Sequence, residues 1–117
     1  MLTDRIPDAE LAAVHEHLVE LADNDRDELA GLVGLLVDSL RRTRDGLANA
    51  VQAGGRARIV EQAHALRGAA SMASLTTIAG CAERIELGRV STDDIPGEVT
   101  RLAALVEQAI VAVRAMC

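Results

Sequence analysis

Residues 95–116 read IPGEVTRLAALVEQAIVAVRAM. Ile95, Val99, Leu102, Val106, Ala109, Val113 and Met116 follow one another here at steps of four and three without a break. A helix turns about 100° per residue, so this spacing keeps all of them on one face, whereas a strand would need alternation. Pro96 suits a first helical turn, where its missing N–H costs nothing. The stretch is an amphipathic helix of many turns, and it sets the pattern for reading the rest of the chain.

The same period recurs upstream. The segment 7–22 carries Leu11, Val14, Leu18 and Leu21 in one stripe, with Pro7 in its first turn. Asp23, Asn24 and Asp25 then break the pattern with good capping residues. The segment 26–53 aligns Leu29, Val33, Leu36, Leu40, Leu47 and Val51, with Thr43 filling the place between Leu40 and Leu47. Gly54 and Gly55 end it, since glycine admits the left-handed turn that closes a helix. The segment 56–73 buries Ile59, Ala63, Leu66, Ala70 and Ala73. A break follows, with Ser74 as the expected cap of the next helix and Thr76 and Thr77 as competitors. The segment 75–88 turns Leu75, Ile78, Ala82 and Ile85 inward, and 91–94 is a loop with capping residues.

No segment alternates as a strand does, and short connections make neighbouring helices antiparallel. The expected architecture is all-α: an up-down antiparallel four-helix bundle of segments 26–53, 56–73, 75–88 and 95–116. An additional N-terminal helix covers one end or flank. Residues 1–117 form one domain, long enough for a core without metals or disulfides.

Composition narrows the function classes. Half the residues are hydrophobic, yet Phe, Tyr and Trp are absent, so the chain lacks the flat faces on which bases or sugars stack. The net charge is −6 and every basic residue is Arg, which argues against nonspecific binding to nucleic acid or anionic membranes. No apolar run approaches the ~20 residues that span a bilayer. The opening MLTDRIPDAE lacks the pattern of a secretory leader, so a cytoplasmic location is expected. Cys81 and Cys117 lack metal-ligand spacing and read as reduced thiols.

Three histidines carry the remaining chemistry. His15 and His17 are two apart on a helix, point to different faces and cannot share a ligand. His64, in QAHALRGAASMASL at 62–75, lies about 100° round the helix from buried Ala63. Its face carries Val60, Arg67, Gly68 and Ser71, which puts a guanidinium one turn from the imidazole and then removes side-chain bulk. Glycine inside a helix costs roughly 1 kcal/mol relative to alanine, so close approach of a partner is a reason to accept it. An imidazole with an unprotonated ring nitrogen is a good phosphoryl acceptor near neutral pH, and Arg67 can offset phosphoryl charge. The sequence has no phosphate-binding loop and no Asp-rich magnesium site, so a partner must bring both phosphoryl group and metal.

The run His64-Ala65-Leu66-Arg67-Gly68-Ala69-Ala70 resembles the signature of the histidine-containing phosphotransfer (HPt) family: His, any residue, Leu, a basic residue, Gly and two small residues. Leu75, Ile78, Cys81, Ile85 and Glu86 resemble the family's next helix, and the likeness extends over 25–116. The resemblance implies a four-helix bundle in which His64 is phosphorylated on the ring nitrogen farther from the backbone. Arg67 would assist the phosphoryl group from a position usually held by Lys. Gly68 would leave room for a receiver domain, and Glu86 would hold the other ring nitrogen. Val60, Gly68 and Ser71 would meet the partner. Ser74 departs from the glycine common at that turn, and the aromatic residue often found on the preceding long helix is absent.

The implied function is phosphorelay signalling: His64 takes a phosphoryl group from a receiver aspartate and passes it to another receiver, without autonomous kinase activity. Partners would be response-regulator receivers or a hybrid kinase, with Mg²⁺ supplied by the receiver and no cofactor or metal of the chain's own. A monomer is expected. Two other readings stand beside it: the phosphoacceptor domain of a larger chemotaxis-type or hybrid kinase, and a non-catalytic helical binding module.

Overall fold

Asp25 starts the longest helix. Its carboxylate accepts the N–H groups of Asp27 and Glu28 at 2.9 and 3.0 Å, which satisfies two donors that the first turn leaves unpaired. At the other end Gly54 takes the left-handed conformation, φ 77°, and its N–H returns to the carbonyls of Ala50 and Val51. In this computed structural model the described residues are 5–117; residues 1–4, where the reading of the N-terminus and of a 1–117 domain begins, lie outside them. The helices are α1 (Asp8–Leu21), α2 (Arg26–Ala53), α3 (Arg56–Met72), α4 (Thr76–Glu86) and α5 (Ile95–Arg114), with a 3₁₀ turn at Thr92–Asp94 leading into α5. No strand occurs among the described residues.

α3 packs between α2 and α4, and α5 closes the ring by packing on α2 and α4. α1 stands outside the ring against α2 and α5. The core is aliphatic: Leu40, Leu47, Leu66, Leu75, Ile78, Leu102, Leu105 and Ile110 are fully buried. Each contributes about 1.5–3 kcal/mol of apolar burial, and no polar or charged side chain among the described residues is buried with them. The stripes expected for α3, α4 and α5 all face this core, apart from Met116, which lies past the end of α5 and is half-buried.

Two expectations need correction. Leu21 does not complete the buried stripe of α1. Val14 and Leu18 are buried, but Leu21 is 58 % exposed, because α1 lies across the bundle and leaves an open groove at its last turn. Nor does Ser74 cap α4. Its φ is 63°, its N–H reaches the carbonyl of Ser71, and the N–H of Leu75 reaches that of Ala70 at 2.9 Å. That pair of bonds closes α3 in a Schellman motif, and Ser74 fills the left-handed position that favours glycine. Leu75 therefore becomes the N-cap of α4 and offers no side-chain oxygen. Gly88 fills the matching position at the end of α4 with φ 71°. A Ser74→Gly variant should gain about 0.5–1 kcal/mol, since relief of left-handed strain exceeds the entropy lost by glycine. The expected rise in melting temperature is about 2–4 °C by circular dichroism.

Candidate functional site

The core orients the site. Ala63 and Leu66 are fully buried on α3, which turns the intervening His64 outward with its side chain 71 % exposed. On α4 the buried Ile85 likewise places Glu86, the last residue of that helix, at the seam with α3. Glu86 Oε2 lies 2.7 Å from His64 Nδ1, and Glu86 Oε1 accepts a bond from Arg67 Nη1 at 3.0 Å. One carboxylate thus holds two side chains that lie one turn apart on α3.

Electrostatics fixes which proton sits where. The Arg67 hydrogen bond, and after it that of His64, hold the Glu86 carboxyl below the usual carboxylate range. The same contact raises Arg67 above its ordinary value. Glu86 is therefore ionised near neutral pH, and an ionised carboxylate only accepts. In the neutral imidazole the proton then resides on Nδ1, and Nε2 keeps its lone pair on an exposed side chain.

The other sequence candidates fall along the same helix. Val60 is half-buried one turn before His64, while Gly68 and Ser71 are exposed after it. A Cβ at Gly68 would meet nothing within 4 Å, so no contact among the described residues requires the glycine. Arg67 is half-buried and engaged with Glu86, a link the sequence reading did not contain. Beyond Gly68 the surface opens into an apolar groove of about 310 Å³, where Ala69 and Met72 of α3 face Leu35 and Leu36 of α2 and Leu21 of α1. Leu35 is 70 % and Met72 78 % exposed.

His15 is exposed, and His17 is half-buried against the carbonyl of Met72 at 3.1 Å. Among the described residues no cluster of three or more His, Cys, Asp or Glu could hold a metal ion, and no helix is long and apolar enough to cross a membrane. Cys81 is buried in α4 and Cys117 is exposed at the end of the chain. The family model of the Hpt domain matches residues 31–115. The chain belongs to the Hpt domain family. No curated protein and no solved structure matches it. Hpt domains are helical bundles that serve phosphotransfer in two-component signalling, and they interact with receiver domains and kinases. The match begins inside α2, so α1 of this Hpt domain lies outside it.

Proposed function

We propose that this Hpt domain carries a phosphoryl group on Nε2 of His64, taking it from a receiver aspartate and giving it to another. The observation that carries this reading is the single exposed imidazole whose Nδ1 is held by an ionised Glu86. The Nε2 lone pair attacks phosphorus in line with the aspartyl oxygen. The N–P bond forms as the P–O bond breaks, and the aspartate leaves as a carboxylate with the electron pair. No proton moves: the ring becomes an imidazolium that keeps its Nδ1–H directed at Glu86. That contact changes from a neutral donor to a charged one as the reaction proceeds, so it strengthens toward the transition state, which is what accelerates a step. Arg67 keeps Glu86 ionised and presents further guanidinium donors to phosphoryl oxygens. The receiver supplies Mg²⁺ and most of the charge stabilisation.

The receiver docks along α3, over Gly68 and the groove bounded by Leu35 and Met72. Apolar side chains this exposed on one face mark an interaction surface. Gly68→Gln should leave the melting temperature within about 3 °C of wild type, since space for the side chain is open, and should slow transfer from a phosphorylated receiver at least about tenfold. Stopped-flow transfer kinetics check this; unchanged rates would move the docking face elsewhere.

A further inference from the structure

Helix α1 lies outside the family match, yet two of its side chains reach the turn between α3 and α4. Glu10 Oε2 accepts the N–H of Thr77 at 3.1 Å, and Glu10 Oε1 accepts the Thr77 hydroxyl at 2.6 Å. Two turns along α1, His17 Nε2 donates to the carbonyl of Met72 at 3.1 Å. The start of α1 is fastened in turn to α5, where Gln108 Oε1 accepts the N–H of Ile6 at 3.0 Å.

Both contacts answer a local deficiency. The N-cap of α4, Leu75, has no side-chain oxygen, so the first-turn N–H groups of α4 lack a side-chain cap from that position. Met72 is the last residue of α3. A carboxylate at a helix start and an N–H donor at a helix end are also the favourable partners of the two helix dipoles. α1 thus supplies, from outside, a side-chain acceptor for the first turn of α4 and a donor for the end of α3.

The two helices so fastened are those that bear His64 and Glu86. His64 stands eight residues before Met72 and Glu86 nine after Thr77, about 12–14 Å along the helices from the fastened turn. The pair is a hairpin held at its closed end with the acceptor couple toward its open end. Ala63, Ala70 and Ala82 are among the fully buried residues of these two helices, and alanine offers little to interdigitate. An opening of about 5° at the turn displaces side chains at that distance by about 1 Å. That would stretch the 2.7 Å contact between His64 and Glu86 out of hydrogen-bond range.

We infer that Glu10 and His17 are positioning residues for the acceptor couple: α1 is a clip over the α3–α4 turn that sets how closely Glu86 approaches His64. The inference rests on the proposed function only in its kinetic arm; its structural arm reads the imidazole itself. The experiment is ¹⁵N NMR of the histidine rings in the full chain, as wild type, Glu10→Ala and Glu10→Gln, with receiver-to-protein transfer rates on the same samples. Glu10→Ala should convert the single Nδ1–H tautomer of His64 into a mixture and slow transfer about three- to tenfold. Glu10→Gln keeps an oxygen for the Thr77 N–H and should restore most of the wild-type signature. If Glu10→Ala does not fold, Thr77→Val removes the hydroxyl contact alone and should move the tautomer ratio in the same direction by less. A wild-type His64 tautomer ratio in the folded Glu10→Ala variant, or in Thr77→Val where that is the one read, would overturn the inference, whatever happens to melting temperature. Absence of transfer in every sample, wild type included, would count against the phosphorelay reading and leave the NMR result to decide the clip.

Discussion

A His64→Gln variant incubated with a phosphorylated receiver should acquire no label, while wild type should acquire one that is stable to base and labile to acid. Glutamine has similar reach but an amide nitrogen whose lone pair is delocalised, so it cannot form the N–P bond. The fold should survive, since the side chain is 71 % exposed and its ring bonds Glu86 at the surface of the bundle. A surface substitution of this kind stays within about 0.5 kcal/mol, or roughly 2 °C in melting temperature. His15 and His17 remain in the variant and serve as internal controls. His15 is exposed, yet among the described residues no carboxylate bonds its ring. Label persisting in His64→Gln would place the acceptor elsewhere and sink the assignment.

Glu86→Ala should slow transfer roughly ten- to a hundredfold, the loss typical when the outer partner that orients an imidazole is removed. Three consequences combine. Nδ1 loses its acceptor, so both tautomers of the neutral ring become populated. The imidazolium that forms during transfer loses its counter-charge. Arg67 loses the oxygen that holds it at 3.0 Å. The pH behaviour separates this account from a loss of fold. Arg67 and His64 hold the Glu86 carboxyl below its usual range. Its contribution to stability is therefore complete above the ordinary carboxylate pKa and disappears as pH falls through the lowered folded value. The difference in melting temperature between wild type and Glu86→Ala should accordingly shrink in acid. Near neutrality Glu86 stays ionised in wild type. A rate within twofold of wild type in Glu86→Ala would remove Glu86 from the mechanism.

How much of this was legible in the sequence follows from which interactions are local. Asp25 and Gly54 act on their own helix ends, and both are where the residue types place them. The stripe of α3 predicts that His64 faces outward, because a helical face is decided by neighbours three and four away. The approach of Glu86 is also readable once the hairpin is granted: His64 and Glu86 each lie eleven residues from Leu75, so an antiparallel pair sets them side by side. The role of Ser74 was misread for a local reason. Serine is a common N-cap, and nothing in the sequence says that the backbone there turns left-handed. Leu21, Glu10 and His17 were beyond reach in a different way. Their surroundings depend on where α1 lies across the bundle, and an amphipathic stripe fixes a buried face without fixing a crossing direction.

The most direct test of the central claim is nuclear magnetic resonance of the ¹⁵N-histidine-labelled chain after transfer from a phosphorylated receiver. One imidazole, His64, should show coupling between phosphorus and Nε2, with Nδ1 still protonated and shifted by its bond to Glu86. Phosphorus on Nδ1, on His15 or His17, or on no imidazole while the receiver loses its label would contradict the account.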